Sequence, residues 1–413
     1  MPLLEEAHKA ARTLLDHAYV RIVARAEPDA VCAAALLALA LRREGVDFHV
    51  SWVRRLDEAA LAGLAEERAD LLVLVGLSGD AASAAPAAAR RIVIENGSPT
   101  LEGDAIVHAD ASLASIAHLV GVGISKRNRD LAPLALAGAL ASMRHVPGWR
   151  GLDAEVLSEA VEGGVVQREL ALALPGTTLL GALTQLDAPF VAGVTGRARN
   201  VKKILAELGL DADAPPGALG EDGAERLGSL LTARLLQQDV PDAALDALFR
   251  PSLRALHGPH TGLDATELAA IADAACAAGQ PGLAFGALWP DPSAAGDALQ
   301  ALAAAREEMV AALLRAERDG RREGRLYVVE AARAGLCRPL ADRLALSLAP
   351  AGCLVVVHAP DVGGAFVALR SWSVDCAGAA RRVGILAGGS AREAHFWTPD
   401  ATHAVKALAE ALV

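Results

Sequence analysis

Three acids stand at or near the ends of apolar runs, where oxygen ligands for a metal ion would be held. Glu27 and Asp29 follow "YVRIVAR" in a short turn, and Glu95 closes "RIVIE" before "NGSP". Hard divalent cations take carboxylate oxygens, with an affinity that grows with the charge of the ligand set. Three acids would therefore hold one ion, weakly. A second group lies near the C-terminus, with Arg370 and Ser371 in "FVALRSWSV" and then Gly388, Gly389 and Ser390 in "LAGGSAREAHF". A guanidinium presents a planar donor fork suited to phosphate, and adjacent glycines let backbone amides come close to an anion.

Each of these residues also has a plainer role open to it. Asp29 precedes the apolar run that starts at Ala30, which suits a helix N-cap accepting a free amide. Glu27 precedes Pro28, so it takes an extended turn geometry and faces water. Glu95 precedes a turn-prone segment and reads as a solvated turn residue. Arg370 would then be an exposed strand end, and the glycine pair a turn.

The elements that must position these residues follow from periodicity. A helix at about 3–17 leads into strands near 19–24, 46–52, 70–76 and 91–95, with helices near 29–44 and 57–67. Such alternation predicts an α/β fold whose sheet is mostly parallel and covered on both faces. Ligands of such sheets bind beyond the carboxyl ends of the strands, where Glu27, Gly76 and Glu95 would gather. Helices are expected at about 111–122, 129–144 and 154–172. From about 190 to 320 the chain reads as helical apart from a strand-like "GLAFGALW", and ends in the long helix "GDALQALAAAREEMVAALLRAERDG". Beyond Arg325, "RLYVVEA", "LADRLALSL", "CLVVVHA", "AFVALRS" and "THAVKALAEAL" give a smaller α/β domain. The expected division is 1–190, a mostly helical middle segment 191–320, and 321–413.

Composition sets limits on the function. At 413 residues, more than one domain is expected. No apolar stretch is long enough to cross a membrane and no signal peptide opens the chain, so a cytoplasmic protein is expected. Cys32, Cys276, Cys337, Cys353 and Cys376 form no CxxC pair and read as small buried residues. His257 and His260 sit in a Gly- and Pro-containing loop. A net charge of −11 disfavours strong duplex binding. Two basic clusters stand out, "TGRARNVKK" and "RAERDGRREGR". The first has the plainer reading of opening an amphipathic helix, and the second reads as the exposed end of the long helix.

The layout resembles the archaeal RecJ-like, GINS-associated branch of the DHH phosphoesterase family, from about Leu3 to the C-terminus. In that family a first strand ends in HxDxDG, a second in DLGS and a third in DHH, and a later helix carries a further Asp. The corresponding positions here are Arg25, Glu27, Asp29 and Ala30; Gly76; Glu95, Asn96 and Gly97; and Ser142 in "LALAGALASM". The family's GGGH loop corresponds to Gly388, Gly389 and Ser390, and its upstream RS pair to Arg370 and Ser371.

The resemblance implies the family's fold, with a C-terminal domain that clamps single-stranded nucleic acid. It also implies an altered chemistry. A two-metal hydrolase needs several anionic or imidazole ligands around ions about 3.5–4 Å apart, and Gly76, Asn96, Gly97 and Ser142 cannot supply them. The expectation is a catalytically inactive relative with no cofactor, similar to the eukaryotic replicative helicase cofactor of the family. Such a relative would work as a scaffold with GINS and the MCM ring and could contact single-stranded DNA. The alternative is a manganese- or magnesium-dependent exonuclease or small-nucleotide phosphodiesterase with a reduced site of Glu27, Asp29 and Glu95.

Overall fold

The computed structural model describes residues 2–54, 62–63, 69–77, 90–97, 101–238, 240–289, 295–385 and 388–412. The chain forms two compact units, one of residues 1–169 with 252–302 and one of 170–251 with 303–413. The segment 191–320, expected as a separate middle part, is thus shared between them.

In the first unit, α1 (Pro2–Leu15) precedes β1 (Tyr19–Arg25), α2 (Pro28–Arg43), β2 (Asp47–Val53), β3 (Leu71–Val75), β4 (Arg90–Glu95) and β5 (Ala105–His108). All neighbouring strands run parallel, in the order β2-β1-β3-β4-β5. The continuous apolar runs of β3 and β4 are what a sheet covered on both faces requires. The expected helix at 57–67 lies largely outside the described residues. The fifth strand has no sequence signal of its own, because "AIVH" is too short to show a period.

Helices α3 (Leu113–Ile124), α4 (Ala132–Ala141) and α5 (Gly151–Glu162) follow. Helix α2 is buried from Asp29 to Leu41, and it packs closely because α3 and α4 offer small residues. A methyl added at Gly121 would press on Leu36 at 3.0 Å, and one at Gly138 would meet Ala114 and Asp29 Oδ1. Glycine lowers helix propensity by about 1 kcal/mol relative to alanine, and here that cost is offset by close helix approach.

Two sequence expectations are corrected. The helix expected at 154–172 ends at Glu162, and strand β6 (Val166–Leu170) follows. The strand-like "GLAFGALW" is a helix, Pro281–Leu288, with Pro281 in its first turn and Ala284 and Leu288 buried four residues apart. Burial against its neighbours overrides the strand preference of Phe285 and Trp289. The loop after Leu256 is as expected, with His260 buried and its Nε2 2.8 Å from the Leu288 carbonyl oxygen.

The second unit carries helices α6 (Leu179–Thr184), α7 (Ala198–Glu207), α8 (Gly220–Gln237) and α9 (Asp242–Leu248). Strand β7 (Pro251–Ala255), pairing with β6, follows them, and α10 (Ala265–Ala277) and α11 (Pro281–Leu288) return to the first unit. Helix α12 (Ala295–Asp319) then leads to β8 (Arg321–Glu323), β9 (Leu326–Glu330), α13 (Ala334–Ser347), β10 (Leu354–Asp361), β11 (Gly364–Arg370), α14 (Cys376–Arg382), β12 (Gly388–Gly389), β13 (Glu393–Thr398) and α15 (Ala401–Ala411). The six strands lie in the order β12-β13-β11-β10-β9-β8. α12 and α13 cover one face through Leu313, Leu340 and Leu344, and α14 and α15 cover the other through Ala380, Val405 and Leu408. The basic stretch after Arg315 is therefore only partly helical. Among the described residues no helix is long and apolar enough to cross a membrane.

A buried histidine makes the first unit acid-sensitive. His118 on α3 is pushed down to about 4, first by burial, against the opposing pull of the Arg129 and Asn128 backbone and of Asp130. A folded value below the unfolded one near 6.5 means that its stabilising contribution is complete above that pH and is lost as pH falls toward 4. Buried carboxyls act in the opposite direction, so the comparison with His118→Leu isolates the effect. The stability of the parent relative to this variant should fall by roughly 3 kcal/mol between pH 7 and pH 4, read from urea unfolding at each pH.

Candidate functional site

In the first unit the residues singled out by the sequence are engaged in packing and in hydrogen bonds to the backbone. Asp29 is the second residue of α2; its N-cap is Glu27, which makes no side-chain capping bond. The expected local cap is thus corrected, because Asp29 caps a different helix. Its Oδ2 accepts the Leu113 amide at 2.8 Å and its Oδ1 the Ala114 amide at 3.0 Å. These are free donors of the first turn of α3. The same helix start is held by Asp153, which accepts the Ser112 amide at 3.0 Å and the Ser112 hydroxyl at 2.8 Å, while Ser112 Oγ accepts the Ser115 amide. Burial pushes Asp29 up to about 7, with Asp153 adding to the rise and the two amides and Arg144 opposing it.

Leu113, fixed in this way, closes the second position. Gly76 has φ +68°, and a Cβ there would lie 2.6 Å from Leu113 Cδ1. Both the backbone and the space exclude the carboxylate-bearing side chain of the family pattern. The Gly76 carbonyl oxygen accepts a hydrogen bond from Nε of Arg25, and its amide donates to Ile94 O at 2.9 Å. Arg25 is buried at the tip of β1, with Glu27 Oε1 3.9 Å from its Nε. A fixed guanidinium thus stands at the strand tips.

The remaining positions are equally occupied. Glu95, expected as a solvated turn residue, is only 6% exposed. Its Oε1 accepts the Asn96 amide at 2.9 Å. It sits at the buried end of a strand, and the turn begins one residue later, with Asn96 and Gly97 half-buried. Ser142 donates its hydroxyl to Gly138 O at 2.8 Å, within its own helix end. Among the described residues, no group of three or more His, Cys, Asp or Glu side chains could hold a metal ion. The donor set does not fit a two-metal centre, since two of its acids are engaged with backbone amides and a guanidinium lies beside the third.

In the second unit, register brings the other candidates to one corner of the sheet. Arg370 pairs with Glu393, and Gly388 and Gly389 pair with His395 and Ala394. Arg370 is buried and its guanidinium lies over the Trp372 ring, 4.8 Å from the centroid. Its Nε is 3.2 Å from Asp342 Oδ1, close enough for charge pairing but out of line for a hydrogen bond, and its Nη1 is 3.6 Å from Glu393. Arg338 shares Glu393 at 3.2 Å. Asp342 is raised to about 6 by burial, against the pull of Arg370. Arg370, open in the sequence either to a phosphate or to the role of an exposed strand end, is thus buried in an internal ion pair.

Ser371 is buried, donating to Cys353 O at 2.9 Å and accepting the Val374 amide at 3.1 Å. Gly389 has φ +121°, and a Cβ there would fall on the Glu393 carbonyl, so the glycine serves the strand pairing. Ser390 accepts the Arg392 amide on Oγ at 3.3 Å. Sequence reasoning missed Leu113, Asp153, Asp342 and Glu393. An isolated acid or leucine carries no local signal of a partner that lies far away in the chain.

No protein-family model matches the chain, and no curated protein matches it in sequence. Solved structures do match its fold. CDC45 from Entamoeba histolytica superposes with a TM-score of 0.65 at 10% identity, over 99% of each chain. RecJ in complex with manganese from Thermus thermophilus gives 0.57 at 16% identity, over all of this chain and 54% of that one. A manganese-bound exonuclease RecJ gives 0.54 at 16% identity, over all of this chain and 94% of that one. The α/β fold is thus that of the RecJ- and CDC45-like DHH proteins, as the sequence layout implied.

Two substitutions test the packed reading of the strand tips. Asp29→Ala would leave two buried amides without acceptors and lower stability by about 2–4 kcal/mol, measured by chemical unfolding in EDTA. A residue whose task is metal binding would show no such cost in chelator. Gly76→Asp must adopt a left-handed backbone and displace Leu113, costing about 2–4 kcal/mol, and should add no manganese binding by calorimetry.

Proposed function

We propose that this chain, on a RecJ- and CDC45-like DHH fold, is a non-cleaving member of a replication or repair assembly that acts as a scaffold. The observation that carries this reading is the coupled set at the strand tips: Asp29 spent on the α3 amides, Leu113 over Gly76, and Arg25 seated on the Gly76 carbonyl. A two-metal mechanism draws its rate from paired cations that stabilise the attacking and leaving oxygens. The residues present offer a buried guanidinium and committed acids instead. The likeness to CDC45 over nearly the whole of both chains supports the choice of assembly. GINS and the MCM ring are the partners that the sequence resemblance suggests.

The competing reading, a manganese- or magnesium-dependent exonuclease using Glu27, Asp29 and Glu95, requires Asp29 to leave both amides and Glu95 to leave Asn96. The first departure leaves two buried donors unpaired, at about 1–3 kcal/mol each.

The two readings part in one pair of assays. Purified protein incubated with 5′-labelled single strands should release no nucleotide above background across manganese and magnesium. Light scattering of the mixture with GINS should show a complex at micromolar protein. Metal-dependent release that disappears in Asp29→Ala, with no complex formed, would reverse the assignment.

A further inference from the structure

Strand β2 closes one side of the five-stranded sheet of the first unit. Among the described residues it pairs with β1 alone, in unbroken register from Tyr19–Asp47 to Arg25–Val53. An edge strand presents a row of unpaired backbone donors and acceptors, and proteins blunt such rows by shortness, charge, proline or bulges. The other sheet edges among the described residues follow that rule. β5 has four residues, β8 is the charged Arg321–Glu323, and β12 is Gly388–Gly389. β6 carries Arg168 and Glu169, and β7 begins at Pro251. β2 is seven residues long, Asp47–Val53, with no Lys, Arg, Pro or Gly.

The direction of its backbone groups follows from two hydrogen bonds. The Asp47 amide donates to Ala18 O at 3.0 Å, and the Ala26 amide donates to Val53 O at 2.8 Å, so the odd-numbered residues bond inward to β1. Phe48, Val50 and Trp52 therefore turn their amides and carbonyls outward. Their side chains share one face of the sheet, and all three are only half-buried. On that face Phe48 packs on Trp289 with ring centroids 6.0 Å apart and Trp52 on Phe285 at 5.7 Å, while the exposed Arg42 lies over the Trp289 ring, 5.2 Å from its centroid. The chain is only 3% aromatic. Four half-buried rings and an arginine beside an open edge have the composition of an interface centre, where Trp and Arg carry most of the binding energy.

We propose that β2 pairs with β2 of a second copy of this chain, antiparallel about a two-fold axis at Val50, so that the two sheets join at their edges. The register follows from the strand itself. Val50 is the midpoint of Asp47–Val53 and one of the outward-turned residues, so an axis there pairs the whole strand with its copy. Val50 then faces Val50, and Phe48 faces Trp52 of the second copy at both ends, each pair exchanging its backbone hydrogen bonds. A two-fold contact requires such self-complementarity, and aromatic pairs directly across two strands stabilise an antiparallel sheet. On the other face His49 stands opposite Ser51 and Asp47 opposite Val53, so no like charges meet. Shifting one strand by two residues sets Val50 against Phe48 or Trp52 and loses both aromatic pairs. The surface depends neither on the scaffold reading nor on a metal.

The test is analytical ultracentrifugation of the full chain at tens of micromolar, where the parent should sediment as a dimer that dissociates on dilution. Val50→Lys and Val50→Glu each set like charges face to face and should weaken self-association by at least about tenfold. Mixed in equal amounts, the two variants should recover the dimer, which a merely unfolded variant cannot do. His49→Lys, one residue along and opposite Ser51, should leave it intact. Cysteine pairing reads the register even where the charged variants do not fold. Residues 49 and 51 of the two copies would form a non-hydrogen-bonded pair with Cα atoms about 4.5 Å apart, within reach of a disulfide. Mild oxidation of His49→Cys mixed with Ser51→Cys should therefore give a covalent dimer, and neither variant alone should exceed the parent. A monomeric parent, a dimer indifferent to Val50→Lys, or no covalent product in the mixture would overturn the proposal. Association with GINS is measured separately, so a monomeric parent leaves that result standing.

Discussion

The carboxylate of Asp29 on the first amides of α3 is the interaction on which the first unit turns. It joins the turn after β1 to a helix more than eighty residues further on. By fixing Leu113 it also decides what can stand at the tip of β3, since the leucine side chain fills the space a Cβ at Gly76 would need. Gly76 in turn offers its carbonyl to Arg25 at the tip of β1. One hydrogen-bonded carboxylate thus commits three strand-tip positions at once. The helix end supplies donors and a positive dipole, but burial still outweighs them, which is why Asp29 is raised to about 7 and not lowered.

The electrostatics of the two units follow one pattern. At the strand tips of the first unit the chain seats the Arg25 guanidinium, and in the second unit Asp342 and Glu393 surround that of Arg370. A buried ion pair of this kind contributes little net stability relative to an apolar core, yet removal of one partner is costly because the other is left unpaired. Arg370 is held further by the face of Trp372. Arg199, Lys202, Arg321 and Arg322, by contrast, are exposed, where water limits the cost of carrying their charge.

Strands β1 to β4 and helices α1 and α2 are legible because each is a continuous or periodic apolar run whose partners lie in the same unit. Strand β1 and helix α2 match their sequence expectations within a residue or two at each end. The roles of the acids are not legible. Asp29 has the local signature of an N-cap, and nothing within ten residues of it reveals that α3 is its partner. Glu95 reads as exposed because a turn follows it, although β4 keeps it buried to its last residue. At 282–289 Phe285 and Trp289 favour a strand by type, and only the i, i+4 burial of Ala284 and Leu288 tells otherwise. In each case the missing information is tertiary.

This coupling bears on whether a dinuclear metal centre could be built stepwise at these positions. An aspartate at position 76 needs the space that Leu113 fills and a backbone region that favours glycine. Freeing that space means moving Leu113, whose amide Asp29 holds. Releasing Asp29 for a metal leaves the start of α3 without two acceptors, and Arg25 would still place a positive charge beside any incoming cation. Substitutions at residues that share partners in this way do not add. The energetic barrier to a dinuclear centre therefore lies in the contacts among Arg25, Asp29, Gly76 and Leu113, and each single substitution toward one meets it in full.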